Sequence, residues 1–201
     1  MRRGFGHYVR TGYGGAAIAA RRMGATAATA GTLGSALSGL SGSQASAQGA
    51  LLDPTVLAGH SASEIMDAVV DAVRPVDGTQ DAEASRVSIR DALSELLTRF
   101  PDADLLNLTP EEREFAVESY TAHDVFKRFD LDVGQSIRGK APSATTALAR
   151  LKQAREYIRE TVAASFRKLK AAGQMLTAGR ITQVVKQALR DTFDVFEGYA
   201  E

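Results

Sequence analysis

Behind Ser61, Ala62, Ser63 and Glu64, the apolar residues Ile65, Val69 and Val73 recur every fourth position. The four leading residues form a capping box, in which serine and glutamate each satisfy an amide of the first turn, so a helix is predicted from there to Arg74, ahead of Pro75. Thr79, with Asp81 and Glu83 in the following turn, opens a second helix carrying Ile89, Leu93, Leu96, Leu97 and Phe100 until Pro101. Thr109, Pro110 and Glu112 form another capping box and lead into Phe115, Ala122, Phe126 and Phe129. A polar loop is expected from about Asp130 to Pro142. Beyond it, Leu148, Leu151, Ile158, Val162, Phe166 and Leu169 make a long amphipathic face, which Gly173 and Gly179 interrupt. Ile181, Val184, Val185, Leu189, Phe193 and Phe196 mark a last helix. No segment alternates or is bounded like a strand. The expected fold is an all-α bundle of about five helices spanning residues 53 to 201.

Residues 1 to 52 read differently. They hold 11 of the 18 glycines, interleaved with Ala, Ser and Thr, and so offer little large apolar surface to offset backbone ordering. Tyr8, Val9, Tyr13 and Ile18 are the largest anchors, and Leu33, Leu37 and Leu40 make a short, weak helical stripe. The expectation is an extended Gly/Ala-rich arm with helical turns that gains its order against something else.

Charge sharpens this division. The 24 basic and 24 acidic residues cancel overall, but residues 1 to 52 are +5 and contain no acid. Residues 53 to 135 are −11 and residues 136 to 201 are +6. A basic arm ahead of an acidic middle suits either internal pairing or an acidic partner. The 201 residues, 44% apolar and without cysteine, exclude bulk disorder and a disulfide scaffold, and no apolar run is long enough to span a bilayer.

Sequences that imitate catalytic motifs fail on context. Gly134, Gly139 and Lys140 have P-loop spacing, yet Ala141 replaces the magnesium-binding hydroxyl and no hydrophobic strand precedes. Gly12, Gly14 and Ala17 imitate a dinucleotide fingerprint without its strand or its ribose-binding acid. His7, His60 and His123 are widely separated with no cysteine to complete a zinc site, and Asp130, Asp132 and Gly134 lack the other ligands of a calcium loop. Glu111 and Glu112 sit where an N-terminal helical turn favours acids. The expectation is therefore a non-enzyme without cofactor or metal. Arg21 and Arg22 ahead of Ala45, Ser46 and Ala47 imitate an export signal, but Met23 follows the arginines and Gly and Ser dilute the apolar run. A cytoplasmic location is expected. Lys152, Arg155, Arg159, Arg167 and Lys170 form a candidate nucleic-acid face, broken by Glu156 and Glu160 and without interleaved aromatic residues.

The stretch Gly6, His7, Tyr8, Val9, Arg10, Gly12, Gly14, Gly15, Ala16, Ala17, and then Ala20, Arg21, Arg22, Met23, Gly24, resembles the N-terminal region of the QatB family of the bacterial Qat anti-phage system. Leu57, Ala58 and Gly59, then Ala72, Val73 and Pro75, then Leu108, Thr109 and Pro110, and the two closing helices agree with the same pattern. The resemblance implies a protein working beside an ATPase, a QueC-like enzyme of 7-deazapurine chemistry (QatC-like) and a TatD-like nuclease. It implies docking to the QueC-like partner and an N-terminus that accepts a deazaguanine group through an amide bond. Tyr8, Val9, Arg10, Tyr13, Gly14, Gly15, Arg21, Arg22 and Met23 are the expected partner-binding residues. The family's Gly- and Pro-rich tail ahead of Tyr-Val-Arg has no counterpart after Met1, Arg2, Arg3, so a missing tail is expected and no acceptor residue is assigned. A nucleic-acid-binding helical protein and a purely structural scaffold are the alternatives.

Overall fold

A computed structural model describes residues 14–41, 52–173 and 177–198. In chain order its helices are α1 (Ala16–Arg22), α2 (Gly24–Leu40), α3 (Pro54–Leu57), α4 (Ala62–Val73), α5 (Gln80–Arg99), α6 (Pro110–Phe129), α7 (Gln135–Lys140), α8 (Ala144–Ala171) and α9 (Ala178–Gly198). A π-helical turn, Asp130–Gly134, joins α6 to α7. No strand occurs among the described residues, and the fold is all-α.

The helix starts follow the capping chemistry. The Glu64 amide donates to Ser61 Oγ at 3.3 Å while the Ser61 amide donates to Glu64 Oε2 at 2.8 Å. Thr109 and Glu112 repeat the arrangement at 3.3 and 2.7 Å, and Thr79 Oγ1 accepts from the Ala82 amide at 3.1 Å. Pro75 and Pro101 follow the last residues of α4 and α5 closely, as the sequence predicts.

Helix α6 is the hub: it packs against α5, α8 and α2, and more lightly against α9. Val117 and Tyr120 are buried at its centre, in one core with Leu93 and Leu96 from α5 and Ile158 and Phe166 from α8. Burying such side chains contributes about 1.5–3 kcal/mol each.

Two segments differ from expectation. Asp130 to Lys140 is not a loop: the chain winds through the π-helical turn directly into α7, and only residues 141–143 separate α7 from α8. Asp130 accepts from Arg138 Nη2 at 2.8 Å through both carboxylate oxygens, which closes this turn over Gly134. Leu148, placed on the apolar face by its spacing, is 67% exposed.

The second difference concerns the N-terminal segment. Over residues 16–40 it is helical, and Ala19, Met23, Ala27, Ala30, Leu33, Leu37 and Leu40 belong to the same core cluster as α6. Small residues allow this. A side-chain carbon at Gly31 would stand 2.6 Å from Thr182 Oγ1 and 3.2 Å from the Ala178 carbonyl oxygen, so glycine is what lets α2 approach α9. Close backbone approach supplies packing that large side chains supply elsewhere. The Gly/Ala composition that reads as an arm is, for these residues, the composition of a tightly packed helix pair. Because α1 also packs on α9, while the later half of α2 meets the first turn of α9, α2 and α9 run antiparallel.

Candidate interface

The expected partner-binding residues divide into three groups. Tyr8, Val9, Arg10 and Tyr13 lie outside the described residues. Gly14 and Gly15 have φ of 78° and 107°, the left-handed region that L side chains avoid, and the Gly15 carbonyl accepts from the Ile18 and Ala19 amides at 3.1 Å. These two glycines turn the chain into α1. Arg21 is exposed, and Arg22 ends α1 with its side chain outside the described atoms. Met23 corrects the expectation: it is 3% exposed and sits in the core at the bend between α1 and α2, so its side chain anchors the segment rather than facing a partner.

The first turn of α2 is held by a buried polar seam. Asp124 of α6, with no exposed surface, accepts from Thr26 Oγ1 at 2.6 Å and from Arg128 Nε at 2.9 Å through Oδ2, and from Ser85 Oγ at 2.7 Å through Oδ1. Arg128 reaches on to Asp81 at 2.6 Å and Ser85 at 3.3 Å, and the Tyr120 hydroxyl lies 3.3 Å from Ser85 Oγ. Burial works against the Arg128 charge, but Asp124 and Asp81 hold its pKa above the ordinary guanidinium value. Burial and Asp124 push the Tyr120 phenol upward, so it remains protonated. The seam thus bonds α2, α5 and α6 through groups that satisfy one another. Spacing carries a signal for it: Tyr120, Asp124 and Arg128 fall at i, i+4 and i+8 on a face shared with Val117 and Thr121. A charged pair among core positions is unusual, and the apolar pattern alone passes over it.

A second cluster ties α5, α6 and α8. Glu95 accepts from Ser119, from Arg159 Nη2 at 2.7 Å, and bonds His123 Nε2 at 3.0 Å. Burial raises the Glu95 pKa, but the Ser119 and His123 hydrogen bonds and the Arg159 charge outweigh it and hold the carboxyl below its ordinary value. Serine, histidine and glutamate are all present, yet the Ser119 hydroxyl donates to the carboxylate and not to the imidazole. A nucleophile needs the imidazole as its base, so the order is wrong for acyl transfer. Beside this cluster, an open cleft of about 690 Å³ runs between α5 and the end of α6, with Val87 and Leu131 half-exposed in its walls. Its charges are largely matched, Lys127 by Asp91 at 2.8 Å and Asp130 by Arg138.

The basic face of α8 is partly engaged within the chain, while Lys170 is exposed without an ion pair among the described residues. Arg159 bonds Glu95, Lys152 lies 3.8 Å from Glu156, Arg167 lies 3.8 Å from Glu160, and Arg155 stacks 4.5 Å from the Phe126 ring centre. The segment from Gly134 to Lys140 is helical, which leaves no loop to wrap a phosphate. Among the described residues no group of three or more His, Cys, Asp or Glu is placed to hold a metal ion, and no helix is long and apolar enough to cross a membrane.

No curated protein and no solved structure matches the chain. A family model does: that of QatB, the Qat anti-phage system associated protein, matches residues 14–196. These residues include both glycines that start α1, the whole of the Thr26–Asp124 seam and most of α9. The chain belongs to the QatB family and is a component of a Qat anti-phage system.

Proposed function

We propose that this protein is the non-catalytic docking component of its system, acting in the bacterial cytoplasm. Its N-terminal segment engages a QueC-like 7-deazapurine enzyme, and the α-amine of its N-terminus attacks a deazaguanine carboxyl that this enzyme has activated, forming an amide as the activating group leaves and the amine gives up a proton. The observation that carries the reading is the family match, joined to the way α2 is built into the core. A segment that is exposed at Gly14 and Arg21 but locked at Met23 and Thr26 transmits a partner's hold to the whole bundle. Residues 1 to 52 carry the partner contacts in this reading and residues 53 to 201 form the platform, with α2 belonging mechanically to the platform. The system's ATPase and TatD-like nuclease are further partners. Among the described residues, the P-loop imitation from Gly134 to Lys140 is helical and the Ser119 hydroxyl donates to Glu95 rather than to His123, which supports a non-catalytic role.

Co-expression with the QueC-like protein tests both parts. The wild-type chain should co-purify with it, and Arg21→Glu together with Arg10→Glu should reduce the yield of complex without changing the melting temperature. Intact-mass measurement of the co-expressed chain, carrying its natural N-terminus, should show the addition of one deazaguanine. Co-purification without added mass leaves docking alone; equal recovery of the charge-reversed chain overturns the placement of the interface.

A further inference from the structure

Helices α1 and α2 start without a side-chain cap, whereas Ser61, Thr79, Thr109 and Ser143 cap α4, α5, α6 and α8. Within its 17 residues α2 holds four glycines and three threonines, each a poorer helix former than alanine. Its own sequence therefore does little to hold it helical, and its order comes from its neighbours. Thr26 donates to Asp124 of α6 at 2.6 Å. A side-chain carbon at Gly34 would overlap Ile181 Cδ1 and stand 3.7 Å from Val117 Cγ2, so α2 lies wedged between α9 and α6.

The dependence is mutual. Ile181, Val185, Ala188, Leu189 and Phe193 of α9 are at most 3% exposed. What covers α9 is α1, α2 and α8, with only light packing on α6. Losing α1 and α2 leaves α8 as its one extensive neighbour among the described residues. The other helices lose less. Helices α5 and α6 form the most extensive pair among the described residues, α8 stays on α6, and α4 stays on α5 through Arg86–Asp71 at 2.7 Å and through Arg90–Asp67.

We infer that α1, α2 and α9 open and close as one cooperative unit on a more stable core of α4, α5, α6 and α8, with the Thr26–Asp124 bond as its latch, and that docking at the N-terminus holds the unit shut. The last clause rests on the docking role proposed above; the unit itself does not. Helices that bury one another's apolar faces lose that burial together, below the cost of global unfolding. A partner that binds only the closed unit stabilises all of it, so a hold taken ahead of Gly14 is felt in α9 at the other end of the sequence.

Native-state hydrogen exchange of the full chain, followed residue by residue where reclosing outruns exchange, is the test. Amides of α1, α2 and α9 should share one opening constant, at least about tenfold above that of the slowest amides of α5 and α6. Phe115→Leu removes the edge-on contact with Phe100 at 5.6 Å, which ties the start of α6 to the end of α5. It weakens the closed form and the form with the unit open alike, so it should speed exchange in α5 and α6 about fivefold and leave α1, α2 and α9 within about twofold of wild type. Thr26→Val destabilises the closed form against every other state and should speed both groups about fivefold. An α9 that exchanges at the α5–α6 rate, or that follows Phe115→Leu, overturns the unit, and unchanged exchange in the Thr26→Val chain overturns the latch. Saturating QueC-like protein should slow α1, α2 and α9 by one common factor of at least about tenfold. Slowing of α1 and α2 with α9 unchanged overturns the closure by the partner. Absence of a complex overturns the docking reading and that closure with it, while the free-chain measurements decide the unit by themselves.

Discussion

Replacing Asp124 with alanine removes the centre of the seam that joins α2 to α5 and α6. The change deletes three hydrogen bonds at once, from Thr26, Ser85 and Arg128, and leaves a guanidinium that is only 6% exposed without its inner partner. Removing one member of a buried pair costs about 3–5 kcal/mol. Arg128 keeps Asp81, whose side chain is 63% exposed and therefore a weaker partner, so the lower end applies: about 3 kcal/mol. For a chain of this size that corresponds to a melting temperature lower by roughly 6–12 °C. Urea denaturation followed by circular dichroism measures it. A cycle with Thr26→Val, expected alone to cost about 1 kcal/mol, adds a sharper criterion. The double variant should lose clearly less than the two single losses added together, because both changes break the same bond. A loss below about 1 kcal/mol for Asp124→Ala, or strict additivity in the cycle, would refute the seam as a buried structural connection.

Three further outcomes follow from the same geometry. Glu118 has its pKa raised by burial and by the neighbouring Glu114, so its ionised form opposes folding at neutral pH; Glu118→Gln should raise the melting temperature at pH 7, with the gain vanishing as pH falls below the unfolded value near 4.5. Glu95 is the opposite case: its folded pKa lies below 4.5, so its contribution is full above that value and is lost as pH falls through the folded pKa, and Glu95→Gln should flatten the acid limb of the stability profile. Gly31→Ala should destabilise by about 1–2 kcal/mol in chemical denaturation although alanine is the better helix former, because the added carbon meets Thr182 and the Ala178 carbonyl.

The capped helices are legible in the sequence because capping is local: Ser61 with Glu64 and Thr109 with Glu112 announce their helices within four residues. What stays hidden depends on contacts far along the chain. The role of α2 requires seeing that Gly31 is opposite Thr182, since small residues signal flexibility in isolation and close packing only when a neighbour is known. The seam requires three helices to converge on Asp124. Between Asp130 and Pro142, Gly134 and a polar run resemble a break, while the Asp130–Arg138 bond that holds the helical turn spans eight residues. Of the candidate partner contacts, Arg21 stands exposed where the sequence suggests, whereas Met23 serves the core.

Binding of the QueC-like protein to a chain beginning at Gly14, beside the full chain, measures the docking role most directly. The shortened chain keeps α1, α2 and the Thr26–Asp124 bond, so it should melt cooperatively within about 3 °C of the full chain. The account predicts that it nevertheless fails to form the complex, with affinity reduced at least about a hundredfold, equivalent to about 2.7 kcal/mol. Undiminished affinity of that folded chain would contradict the account and exclude residues 1–13 from the docking surface.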